Sequence, residues 1–298
     1  MLASLSRPTP GTPGETLDED LAGLDALEIP LALGTTGRVQ RAWDATWPKF
    51  GAFALILLAW QVAVWAHWKP FILQTPGTVA RQLVDLLGTS SFWTSAGVTF
   101  HHAVIGFGIA IALGAIVGTA VTRVSVLRAA LGSLITGMQT MPSVLWFPLA
   151  VMVFGLSSNA IVLMIVLGSS PAIANGFISG IDQVPPGLTR AGRILGARGF
   201  ALQRHVVLPA ALPVVLGSLK QGWAFAWHAL MAGEFLIQVA GQVGLGGRTE
   251  NAQTQGYFAV VVALMIVIVI VGIVVNTGFN RIDLAVRHRY GLIDANGR

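Results

Sequence analysis

The sequence predicts an all-α membrane protein with six transmembrane helices, and three observations carry that prediction. Charged residues make up 10% of the 298 and hydrophobic ones 54%, with a mean hydropathy of +0.72; an ordinary soluble domain carries about 25% charged residues. Long charge-free runs recur, among them 53 residues between Arg128 and Asp182 and 30 between Glu250 and Arg281. The basic residues also segregate to one side once those runs are laid across a bilayer. The net charge of +5 is too thinly spread for a nucleic-acid stripe, and zero cysteines exclude disulfides and thiolate metal sites.

Residues 1–45 read as a cytoplasmic extension. The first 30 hold six of the thirteen acids and one arginine, the reverse of a secretory leader. Within them, Leu17, Leu21, Leu24 and Leu27 fall on one helical face, with Thr16 and Glu19 as a capping box and Pro30 as the stop. This predicts a short acidic amphipathic helix over about 16–29, either a clip onto a basic partner or a solvated tail.

Residues 46–290 form the membrane domain, and 291–298 a cytoplasmic tail. Span one is Phe50 to Ala66, framed by Trp43, Trp47, Trp65 and Trp68 as interfacial anchors. A short amphipathic helix from Thr78 to Leu87 follows, then span two from Ser95 to Thr122. The uncharged 53 residues suit two helices of about 20 residues each, with the turn at Gly155–Asn159. Span five is placed at Val206–Val239 and span six between Glu250 and Arg281. With a cytoplasmic N-terminus, fifteen basic residues lie inside and three, Lys69, Arg81 and Arg248, outside; both termini and the loop at 185–209 are then cytoplasmic. Gly106, Gly108, Gly114 and Gly118 in span two predict close helix packing.

The loop is the one long polar interruption, with Arg190, Arg193, Arg198 and Arg204 and no acid. Gly196 suits a tight bend, because glycine accepts positive φ without a Cβ clash. Pro142 and Pro148 must interrupt the hydrogen-bond ladder of span three, which makes Met141, Pro142 and Trp146 candidates for a gate or cavity; a plain kink is the alternative. Glu234 is the one acid inside a span, and such a group must pair or face the bundle interior. A helix-packing hydrogen bond is favoured for it over a proton relay. His228 and Trp227 lie on the same segment, Lys220 snorkels near the cytoplasmic end, and His101 and His102 are placed at the interface. No histidine and carboxylate spacing suits a metal, and no catalytic residue is assigned. The nearest string to a phosphate-cradling G-x-x-x-x-G-K-[ST], Gly241 to Thr249, lacks the lysine.

The loop resembles the signature E-A-A-x-x-x-G-x(9)-I-x-L-P of permease subunits of bacterial ATP-binding-cassette importers. Ala191 and Gly192 stand for the two alanines, Gly196 for the glycine, and Val206-Val207-Leu208-Pro209 for the end, while Arg190 replaces the acid. Gln139 to Leu149 is similar to the family's T-x-P-x-x-x-x-x-P-L segment, and Ala226-Trp227 to Glu234 to its A-W-x-x-L-x-A-x-E run, with Gly244-Leu245-Gly246 at the external turn. Order and spacing over roughly 60–285 look most like the sulfonate, taurine, nitrate and bicarbonate branch. The resemblance implies the type I importer permease fold, with a cytoplasmic coupling helix between spans four and five formed by Arg190, Ala191, Gly192, Leu195, Gly196 and Ala197 and followed by Leu208 and Pro209. It also implies a homodimer in the bacterial inner membrane, an ATPase dimer that holds ATP and magnesium, an extracytoplasmic binding protein, and a small anion as substrate. A secondary carrier or channel and a membrane-embedded enzyme are the rival classes.

Overall fold

A computed structural model describes residues 38–289 apart from 67, 68 and 70. The acidic stretch 16–29 lies outside the described residues. The helices are α1 (Arg38–Trp65), α2 (Pro76–Leu87), α3 (Ser90–Arg123), α4 (Ser125–Thr140), α5 (Phe147–Phe154), α6 (Ser158–Asp182), α7 (Pro186–Ile194), α8 (Gly199–Leu202), α9 (Leu208–Leu236), α10 (Leu245–Thr254) and α11 (Phe258–Arg289). A 3-10 turn at Ser143–Trp146 leads into α5, and a π-helical turn at Gln203–Val207 joins α8 to α9.

Among the described residues four stretches are long and apolar enough to cross a membrane: Ser90–Arg123, Ser158–Asp182, Gly199–Leu236 and Phe258–His288. Span three is not one straight helix. Its halves, Ser125–Thr140 and Ser143–Phe154, meet at 111°, because Met141 precedes a proline and is held extended at φ −77°, ψ 125°. Span one corresponds to the shorter apolar helix Phe50–Trp65. Span two starts earlier than expected, at Ser90, and span five lies at Gly199–Leu236 instead of Val206–Val239. Span six starts within the stretch expected for it, at Phe258, after α10 and a turn at Gly256, whose φ is +76°.

The chain divides into two compact units within α1, after Trp60. Up to that point α1 exposes Phe50, Phe53, Leu55 and Ile56, and an apolar surface on every side suits a helix in lipid. In the second unit α6 is the central helix, packed between α3 and α9. Ile161, Met164, Ile165 and Ile173 on α6 are fully buried. They reach that depth because glycines on both neighbours admit them. A Cβ at Gly106 or Gly114 of α3 would lie 2.8 Å from Ile165 or Ile173, and one at Gly222 of α9 would lie 2.6 Å from Ile173. Gly118 meets the backbone of Ala174 in the same way. Close approach of this kind replaces the hydrophobic drive that lipid removes. Gly108 does not take part: it faces open space, half a turn away from the stripe at 106, 110, 114 and 118. Phe107, Trp223 and Phe279 then tie α3, α9 and α11 together, with Phe107 edge-on to Trp223 at a centroid distance of 5.2 Å. At the far end Arg128 of α4 donates two hydrogen bonds to Asp182 of α6, at 3.0 and 2.7 Å.

Gly114→Ala is expected to cost about 1–3 kcal/mol through overpacking, lowering the thermal midpoint of the purified protein by several degrees. Gly108→Ala should leave it unmoved. Equal midpoints for the two variants would remove the packing account.

Candidate functional site

Two places concentrate polar chemistry, at opposite ends of α9. The first is the basic loop. Pro185 and Pro186 open α7, Pro186 taking a first-turn position where its missing N–H costs nothing. The helix then stops at Gly196. The Ala197 N–H reaches Gly192 O at 2.9 Å and the Gly196 N–H reaches Arg193 O at 3.0 Å, while Gly196 adopts φ +87°. That is a Schellman stop, which caps the last carbonyls and reverses the chain. Gly192 is buried, and a Cβ there would lie 2.8 Å from Leu202 and 2.9 Å from Val206, so this glycine lets α7 lie directly on the turn that follows. Below it Val184, Val207, Ala211 and Val215 form a buried apolar root.

What the loop displays is apolar as well as basic. Ile194 and Leu195 are each 86% exposed and Phe200 is 71% exposed. Arg190, Arg193, Arg198 and Arg204 are exposed around them, and Arg190 is in no ion pair among the described residues. Leu208 and Pro209 stand in the first turn of α9, behind the loop and not at its tip. The π turn before them is closed by the Leu208 N–H to Gln203 O.

The second place is built on Glu234, 2% exposed near the end of α9. Thr99 Oγ1 of α3 donates to its Oε2 at 2.8 Å, His102 Nδ1 of α3 lies 3.1 Å from its Oε1, and the Gly246 N–H of α10 donates to Oε2 at 3.1 Å. Thr99 Oγ1 also accepts the Leu245 N–H at 2.8 Å. The N-terminus of α10 has no cap of its own from Gly244. Its first two orphan N–H groups are instead satisfied by side chains from α3 and α9, and a carboxylate at a helix N-terminus is favoured by the helix dipole. Gly244 and Gly246 make this possible, because a Cβ at Gly244 would sit on the Glu234 carboxylate and one at Gly246 would lie 2.7 Å from Glu234 Cβ. His102 is therefore not at the interface: it is 2% exposed, drawn inward because a buried carboxylate needs partners. His101, one residue away, is exposed.

The residues proposed from sequence for a path do not all meet. Trp227 and His228 line a cleft of about 500 Å³ between α9 and α11, together with Trp223, Met231 and Asn276. Trp223 and Trp227 stack at 6.0 Å and 24°. Met141 and Pro142 are exposed at the 111° bend. Trp146 packs against the central core, and Glu234 belongs to the buried cluster. Lys220 donates to Asn280 Oδ1 at 2.7 Å. Among the described residues no group of three or more His, Asp or Glu side chains could hold a metal ion.

Comparison with known proteins bears on the same stretch. Residues 110–291 match the family model described as binding-protein-dependent transport system inner membrane component. The chain is 32% identical to the riboflavin transport system permease protein RibX of Chloroflexus aurantiacus, over 72% of this chain and 81% of that one. It is 27% identical to the taurine transport system permease protein TauC of Escherichia coli, over 79% and 86%. Among solved structures, an inward facing conformation of the MetNI methionine ABC transporter shares the fold at a TM-score of 0.52 and 24% identity, covering 65% of this chain and 93% of that one.

Proposed function

Because the chain belongs to the family of binding-protein-dependent transport system inner membrane components, we propose that it is the permease subunit of an ATP-driven importer, working as a homodimer with two ATPase subunits and an extracytoplasmic binding protein. It is a multi-pass membrane protein of ABC transporter permease type. Its cargo is a small organic or inorganic anion, a sulfonate first, with taurine, nitrate and bicarbonate next.

The exposed face of α7 carries this reading. Ile194 and Leu195 at the end of α7 and Phe200 on α8 stand out among arginines on either side of the fixed stop at Gly196. Uncovered apolar side chains rimmed by charge mark a protein docking surface, and the fifteen-to-three distribution of basic residues puts that surface in the cytoplasm. ATP and magnesium are held by the ATPase subunits. Closure of the ATPase dimer draws two copies of α7 together. The helical run Gly199–Leu236, about 55 Å long at 1.5 Å per residue, transmits that movement to the clamp at Glu234. Cytoplasmic closure and outward opening are then two states whose balance the nucleotide shifts.

Reconstitution with the cognate ATPase and binding protein tests the reading. Uptake of taurine or ethanesulfonate into proteoliposomes should require ATP, and uptake indifferent to ATP would sink it in favour of a carrier or channel. Arg190→Glu should reduce the ratio of uptake to ATP hydrolysis by about tenfold if Arg190 faces an acidic partner; an unchanged ratio removes that contact. A second reading of the cargo, a planar heterocycle, is favoured by the stacked Trp223 and Trp227 in the α9–α11 cleft. Identification of the ligand held by the binding protein separates the two.

A further inference from the structure

A second cleft opens between the first turns of α3 and the body of α10, and its chemistry is unlike that of the aromatic one. It encloses about 720 Å³, within the range of small-molecule sites. Its walls carry hydroxyls and amides from Ser91, Thr94, Ser95, Asn251 and Gln255, and Arg248 is its one charged lining residue. Arg248 Nη1 donates to Ser91 Oγ at 3.1 Å and reaches Ser95 Oγ at 3.5 Å. Those two bonds fix the guanidinium without neutralising it. Among the described residues the ion pairs of arginines with carboxylates are Arg128–Asp182 and Asp283–Arg287, and Arg248 is in neither of them. Its Nε and Nη2 make no hydrogen bond among the described residues. The neighbouring carboxylate of Glu250 is engaged by Gln238 and Thr254 and does not line the cleft. Ser95 is 6% exposed, and its hydroxyl has only the long contact to Arg248.

We infer that this cleft binds a small organic oxyanion at the outer mouth of the protein, its charged head on Arg248 and the adjacent hydroxyls. The inference rests on the anion reading above. A guanidinium with unused N–H groups in a fixed fork matches the oxygens of a sulfonate or carboxylate, and serine and amide donors complete the head-group contacts without adding charge. Val98 and Val260 supply an apolar wall for a short hydrocarbon body. The site is held in place by the clamp one turn earlier, where Thr99 and Glu234 pin the first two N–H groups of α10. Arg248 therefore moves only as α10 moves, which ties occupancy of the cleft to the state of α9.

The test reads Arg248 itself. The full chain, assembled with its ATPase in nanodiscs, is treated with phenylglyoxal, and modification of each arginine is followed by peptide mass spectrometry. Ethanesulfonate should slow modification of Arg248 by about fivefold once four-fifths of the sites are filled, leave the exposed Arg123 unchanged, and be unmatched by choline. Equal rates at Arg248 with and without ethanesulfonate overturn the proposal. So does protection by the binding protein alone, which would make Arg248 a protein contact. In uptake assays Arg248→Gln should raise the half-saturating ethanesulfonate concentration by about tenfold, and Arg248→Lys by less, because a charged hydrogen bond of this kind is lost in one and kept in part in the other. ATP-dependent uptake by the wild type with an unprotected Arg248 sinks this site and spares the importer assignment. Protection without uptake does the reverse.

Discussion

Glu234→Ala is expected to destabilise the protein by about 3–5 kcal/mol, the cost of leaving several buried polar groups without their shared partner at about 1–3 kcal/mol each. The loss is large because the carboxylate is shared. Without it Thr99 Oγ1, His102 and the Gly246 N–H lose a partner inside the bundle, and a cavity is left beside Gly244 and Gly246. A thermal midpoint lower by about 6–20 °C in detergent follows from about 2–4 °C per kcal/mol for a chain of this class. Glu234→Gln keeps the shape and one acceptor, and should recover more than half of the loss. If the alanine and glutamine variants melt together, within a degree or so of the wild type, the carboxylate is not what secures α10.

The second large effect is expected at the other end of α9. Ile194→Asp combined with Leu195→Asp places two charges where two apolar side chains stand 86% exposed. Both positions are open, so the fold should tolerate the change within about 0.5 kcal/mol, as surface substitutions do. A partner that buries those side chains would not: losing two buried aliphatic contacts, about 1.5–3 kcal/mol each, and adding desolvated charge should lower ATPase affinity by at least a hundredfold. Pull-down of the ATPase by the double variant, compared at equal midpoint with the wild type, reads this directly. Undiminished recovery of the ATPase would take the docking surface away from α7.

Much of this was legible from residue order. Charge-free runs located the apolar helices, since a bilayer excludes charge and the sequence obeys that constraint run by run. Gly196 announced its turn, because positive φ is cheap only for glycine. Glu234 announced a partner without naming it. Thr99 and His102 were missed as a pair, although they head a stripe on α3 that continues through Gly106, Ala110, Gly114 and Gly118 at helical spacing. The small residues and the polar ones of that stripe belong to the same buried face. Gly108 was grouped with them by proximity in sequence, which a 100° step per residue does not respect. The bend of span three is legible in Pro142 and Pro148, but the presence of two prolines does not by itself give the size of its 111° angle. Span six starts at Phe258, inside the uncharged stretch expected to hold it, but α10 is uncharged from Asn251 to Thr254, and hydropathy alone does not separate a short helix from the long one behind it.

The π turn at Gln203–Val207 has one more consequence. A π turn holds one residue more than the α-helical turn it replaces, so it works as a phase adjustment between α9 and everything N-terminal to it. A single-residue deletion there would be absorbed, but closing the same five residues into regular α form would swing the Gly199–Leu202 turn by about 100° around the α9 axis. The face with Ile194, Leu195 and the arginines would then point elsewhere while every residue in it stayed the same. The azimuth of that face, and not its composition alone, is written into the five residues Gln203–Val207.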